Sequence, residues 1–165
     1  MRLLLLPGLA SLVVLTACSS LAPPTDLAGV TQSALVARMG RPEMQRQLAG
    51  DITRLEFPGG PFGRQTWFVD LDAAGRIVRS EQVLTEKNFN QITPGTPQAE
   101  VRQRLGRPGE NHTLARGRGV VWAYRYENPF CQWFQVEIAA DQTVRSAGYG
   151  EPPECDRPND IIRPR

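Results

Sequence analysis

Residues 29–42 read GVTQSALVARMGRP and residues 95–108 read GTPQAEVRQRLGRP, with six of fourteen positions identical at an offset of 66. A segment that recurs at a fixed offset constrains a chain more than composition does, because both copies must reach the same local fold and bury the same stripe. The likeness continues downstream, where WFVDLDAAGRIVRS (67–80) faces WFQVEIAADQTVRS (133–146). In the first copy Trp67, Val69 and Leu71 alternate, and in the second Phe134, Val136 and Ile138 do. Matching these faces needs an offset of 67, since a one-residue slip would exchange buried and solvent faces. The shared Val-Arg-Ser then implies a return to 66 through a turn one residue shorter.

Each copy is expected to begin with a helix. Leu35 and Met39 are four apart, as are Val101 and Leu105, which puts each pair on one helical stripe. Thr96 suits an N-cap with Pro97 at the first helical position, and Glu100 with Arg104 makes an i,i+4 pair. Gly40 and Gly106 suit the C-terminal turn, and Pro42 and Pro108 block continuation. A helix of about nine residues is marginal alone, so its stripe must pack on the strands that follow. Those are expected over 52–57, 65–72 and 76–84 in the first copy, and over 119–127, 131–139 and 143–150 in the second, from their alternation and β-branched or aromatic content. The links at 73–75 and 140–142 suit antiparallel hairpins. Thr85 is a cap candidate for a short extra helix carrying Phe89 and Ile92. The fold class is therefore α+β: two tandem modules, 29–84 and 85–150, each with short helices packed on an antiparallel sheet of about three strands, followed by a Pro-rich tail over 151–165.

The chain opens with Arg2 and an apolar run from Leu3 to Leu15. About thirteen residues rise ~20 Å as helix, short of a ~30 Å hydrocarbon core, and read as a secretory signal over 1–17. Leu15-Thr16-Ala17-Cys18 resembles the bacterial lipobox, which implies cleavage before Cys18 and its acylation with diacylglycerol and palmitate. Each buried CH2 contributes ~0.8 kcal/mol to such an anchor. Ser19 in place of Asp implies sorting to the outer membrane, and residues 18–28 form the lipidated cysteine and a tether stiffened by Pro23 and Pro24. Removing the signal takes one of 19 basic residues and none of 17 acidic ones, so the mature chain is close to neutral and has no electrostatic footprint for nucleic acid.

With Cys18 acylated, Cys131 and Cys155 remain. In an exported chain an even remainder suggests a disulfide, with two unpaired thiols as the alternative. A hairpin turning near Asp141 mirrors Cys131 close to Glu151, four residues from Cys155, and closing that loop contributes roughly 3–4 kcal/mol in the chain-entropy model.

The lipobox, the helix boxes ending in Gly-Arg-Pro and the strands GRIVRSEQV and WFQV together resemble the SmpA/OmlA (BamE-like) family of outer-membrane lipoproteins. The resemblance covers nearly all of 29–150, twice over, and implies helices against an antiparallel sheet. It also implies an accessory role in outer-membrane β-barrel assembly, with the assembly machinery as partner, at the periplasmic face. The tandem arrangement departs from the one-module pattern and is similar to the β-lactamase inhibitor protein architecture, which implies an alternative role as an inhibitor binding an envelope enzyme.

No catalytic constellation stands out, and no enzyme activity, cofactor or metal site is expected. His112, the one histidine, lies in a polar connecting stretch. Asp70 and Asp72 share a strand face and read as solvated, with no third group beside them. FPGGPFG (57–63) lacks the Lys-Ser/Thr of a phosphate loop and reads as a long hairpin connection. Trp122, Tyr124 and Tyr126 alternate on one face with Phe134 as core. Trp133 and Arg125 fall on the opposite phase. They are either an exposed partner-binding pair of hot-spot types or packed beneath the tail held by Cys155; the same two readings apply to Trp67 and Phe68. The expected function is that of a lipid-anchored, non-enzymatic interaction module of the cell envelope.

Overall fold

The computed structural model describes residues 30–60 and 62–152. The signal, Cys18, the tether, Cys155 and most of the tail lie outside the described residues. The order is α1 (Gln32–Met39), β1 (Met44–Leu48), β2 (Ile52–Pro58), β3 (Thr66–Leu71) and β4 (Ile77–Gln82), then α2 (Glu86–Phe89), α3 (Gln98–Leu105), β5 (Glu110–Thr113), β6 (Gly119–Arg125), β7 (Trp133–Ala139) and β8 (Val144–Gly150). The strands form two antiparallel meanders, β1-β2-β3-β4 and β5-β6-β7-β8. Each sheet has four strands where three were expected. The additional one is the first of each set, MQRQL and ENHT, edge strands too polar to show alternation.

Strand register fixes how the copies correspond. Gln45 pairs with Leu55 and Asn111 with Trp122; Val69 pairs with Ser80 and Val136 with Ala147. The helices and first strands are thus offset by 66, and everything from β2 and β6 onward by 67. The expected return to 66 does not occur. Leu71 pairs with Ile77 and Ile138 with Val144, each beside a bulge, and the two turns have the same length with a positive φ at Gly75 and Gln142. The repeated Val-Arg-Ser is one step out of structural register. The extra residue lies in the β5–β6 turn, between Thr113 and Val120, against Gln47 and Thr53 in the first module. A turn absorbs it without disturbing any buried face.

The helices follow their expected stripes: Leu35, Val101 and Leu105 are fully buried and Met39 nearly so. Thr31 caps α1 by accepting from the Ala34 amide at 3.3 Å, and Thr85 caps α2 by accepting from the Asn88 amide. The cap of α3 is Pro97 rather than Thr96. Thr96 is held in the sheet instead, its carbonyl accepting from Val144 and its hydroxyl from the Thr93 amide. The bridges Thr31–Arg76 and Pro97–Thr143 tie each helix start to the far hairpin of its own sheet in the same way.

Among the described residues the buried apolar side chains form two clusters. The first joins Leu35, Met39, Leu55, Phe57, Val69 and Leu71. The second is larger, with Phe89, Ile92, Val101, Leu105, Trp122, Tyr124, Tyr126, Phe134, Val136 and Ile138, and it includes Phe68 from the first sheet. Phe68 points away from α1, and a Cβ placed on Gly106 would lie 3.2 Å from its ring and from the Thr66 methyl. The Gly-Arg-Pro corner after α3 therefore seats on the first module. Arg107 reaches Glu43 at 2.6 Å, and the Tyr124 hydroxyl donates to the Gly106 carbonyl at 3.3 Å.

Gly40 and Gly106 have φ of +83° and +75°, with extended ψ, a region open essentially to glycine alone. No atom lies within 4 Å of a Cβ built on Gly40, whereas Gly106 has Phe68 against it. Gly40→Ala should cost about 1–2 kcal/mol of backbone strain, and Gly106→Ala measurably more. Urea unfolding of both variants checks this; equal losses would contradict the packing role of Gly106.

Candidate functional site

The β2–β3 loop (59–65) and the β6–β7 loop (126–132) are equivalent hairpin ends, and each carries Pro-Phe: Pro61-Phe62 and Pro129-Phe130. Both rings face solvent, Phe62 at 80 % and Phe130 at 68 % exposure. The loops are neighbours in space. The Arg125 guanidinium lies 5.3 Å from the Phe62 ring centroid, and Arg64 lines the same depression as Phe130 and Gln132. A further cleft of about 290 Å3 runs between the modules, walled by Gly59, Gly63, Thr66, Pro108 and Tyr124, with the Arg107–Glu43 pair at its side. The chain enters the first module at the other end, where Thr31 bridges Arg76. One end thus carries Thr31 and its bridge to Arg76, and the other presents two aromatic tips.

Trp133 and Arg125 come together as a pair but not as an exposed one. Arg125 lies 4.0 Å over the Trp133 ring and 2.7 Å from Glu110, and only 4 % of Trp133 and 7 % of Arg125 are accessible. Stacking and ion pairing draw both into the structure, so neither is a presented contact residue. Phe68 is likewise buried, while Trp67 is half-buried with its indole N–H donating to Gln65. Cys131 sits beside Phe130 and is not a free thiol; Cys155 lies outside the described residues.

Asp70 is not solvated. It is buried and receives a bidentate pair from Arg54 at 2.7 and 2.8 Å, and the Arg54 guanidinium also covers Phe68 at 4.8 Å. Asp72 is separate, in the hairpin turn, where its carboxylate accepts from the Ala74 and Arg76 amides and the Arg76 side chain. The bonds from Arg76 hold its pKa below the usual carboxylate range. Burial pushes Glu56 up despite Arg46 at 2.6 Å and the field of Arg102 from the second module. His112 is on β5 rather than in a connection, and it is exposed beside Glu110 at 3.0 Å. Among the described residues no three His, Cys, Asp or Glu side chains converge to hold a metal ion, and Asp70, Asp72 and His112 have separate partners. The residues that sequence reasoning passed over are Phe62 and Phe130, and the signal was a Pro-Phe pair recurring before Trp67 and before Trp133.

No family model and no curated protein sequence matches the chain. Two solved structures resemble it weakly. One is a DUF4309 family protein (YjgB) from Bacillus subtilis, with 17 % identity, 81 % of this chain and 86 % of that chain covered, and a TM-score of 0.31. The other is an extracellular protein containing an SCP domain from Bacillus anthracis, with 11 % identity, 73 % and 43 % covered, and a TM-score of 0.29. At these scores neither likeness bears on the role of the present chain.

Arg125→Leu removes a charged hydrogen bond and a cation–π contact from a buried position, so it should lower stability by about 2 kcal/mol. A surface contact residue would change it by less than about 0.5 kcal/mol. Chemical denaturation decides between the two.

Proposed function

We propose that this chain is a lipid-anchored interaction module on the periplasmic side of the outer membrane, an accessory in envelope or β-barrel protein assembly. The anchor in this reading is Cys18, and the disulfide pairs Cys131 with Cys155. The observation that carries the reading is the placement of Phe62 and Phe130. Two exposed aromatic tips, contributed by equivalent loops, stand together at the end opposite chain entry. Apolar tips held on hairpins suit a protein partner, since aromatic side chains are enriched where protein interfaces bury most area. The thirteen residues between Cys18 and α1 span at most about 47 Å when extended, so acylation would confine the domain near the bilayer and raise the effective concentration of its tips for a membrane-resident partner. The SmpA/OmlA resemblance makes the barrel-assembly machinery the first partner to test.

A second reading keeps the same surface and changes the partner: two projecting hairpins also suit insertion into the cleft of an envelope enzyme, as an inhibitor would insert.

Metabolic labelling with palmitate should mark the wild-type chain and not Cys18→Ala; an unlabelled wild type would remove the anchor. Photo-crosslinkers at positions 62 and 130 in intact cells should capture one discrete envelope protein, and the same crosslinker at Ala73, on the opposite end, should not. Barrel-assembly subunits among the products favour the first reading and a single hydrolase the second. Equal products from all three positions would defeat the docking surface.

A further inference from the structure

The Gly-Arg-Pro corner occurs twice and is covered once. After α3, Gly106 is buried, and a Cβ on it would lie 3.2 Å from the Phe68 ring. Arg107 reaches Glu43 at 2.6 Å, and one turn back the field of Arg102 falls on Glu56. One side of α3 with its corner thus lies against a sheet that supplies a ring and carboxylates. At the helix offset of 66, the same places on α1 are Val36, Gly40 and Arg41. Gly40 and Arg41 are exposed and Val36 is half-buried. No atom stands within 4 Å of a Cβ on Gly40, and Arg41 has no hydrogen bond or ion pair among the described residues. The positive φ of both glycines serves the helix end and is common to the two corners; the difference lies in what covers them. The α1 side is also the more apolar, with Val36 in place of Arg102 and Ala37 in place of Gln103.

We propose that the outer side of α1, with the Gly40 corner, docks a sheet of a partner protein that carries an aromatic ring on its face and a carboxylate at its edge. The ring seats on Gly40 and the carboxylate pairs with Arg41, as Phe68 and Glu43 receive the other corner. A charged guanidinium–carboxylate bond of this kind is among the stronger polar contacts available to an interface. The ring comes from another molecule by composition alone, because residues 1–29 and 153–165 contain no Phe, Tyr or Trp. A second copy stacked in the same manner offers Gln135 where the seat needs Phe68, so the sheet is that of a different protein. This surface does not include the Phe62 and Phe130 tips and does not depend on them.

Photo-crosslinkers at Val36 and at the exposed Ala37 of the full-length chain in intact cells, with the captured residue mapped by mass spectrometry, test this. The expected product is one discrete protein joined on a strand beside a Phe, Tyr or Trp. Arg41→Glu should lower its yield at least tenfold, and replacing the partner's acid nearest the mapped site by Arg should restore it. Arg41 is exposed and unpaired among the described residues, so this variant keeps the fold, which an unchanged thermal midpoint checks. Products that map to residues 18–28, to a second copy or to a partner segment without an aromatic residue overturn the proposal. So do the absence of any product at both positions and a yield unmoved by Arg41→Glu. Loss of the crosslinks at 62 and 130 with the product at 37 retained would remove the tips and leave this surface; the converse would remove this surface alone.

Discussion

Phe68 against the corner after α3 is the contact on which the arrangement depends. A four-stranded antiparallel sheet has two faces, and one short helix covers only one of them. In the first module α1 takes the face of Val69 and Leu71, which leaves Phe68 on the other. The Gly106 corner closes over it because a glycine there lets backbone approach the ring. That contact joins two small cores, each too thin to stand well alone, and sets the second module's helix and sheet relative to the first.

The rest of that second face is charged, and its charges are arranged to suit partial burial. Arg54 is paired bidentately with Asp70 and Arg46 with Glu56, and Arg54 also caps the Phe68 ring. Paired, hydrogen-bonded charges tolerate such a position where isolated ones would not. The same device recurs in the second sheet with different residues, Arg125 between Glu110 and Trp133. These pairs keep their side chains in place and largely off the surface, and the exposed rings of Phe62 and Phe130 stand instead on the loops, held by the hairpins below them.

Much of this was legible in sequence. The duplicated box, the Leu35–Met39 and Val101–Leu105 stripes, the Thr85 cap and the Trp122-Tyr124-Tyr126 face all carry strong local signals, because burial imposes periodicity. The first strand of each sheet was not legible, since MQRQL and ENHT lie at polar edges where nothing enforces alternation. The extra residue lies in the β5–β6 turn and not after β7, because Val-Arg-Ser recurs on β4 and β8 by composition rather than by register; only hydrogen-bond pairing distinguishes the two. Trp133 and Asp70 show the remaining limit. Strand phase gives the face of a side chain, but whether that face is covered depends on long-range neighbours such as Arg125 and Arg54, which local patterns do not specify.

The seat for the corner is single. In the second sheet the position of Phe68 is taken by Gln135, a polar amide lying alongside Gly150. An identical corner, offered by another molecule head to tail, would find no ring to rest on and an amide it would have to dehydrate. Like therefore does not stack on like through this contact. The joint is made within one molecule, and the second sheet presents no matching aromatic seat for it.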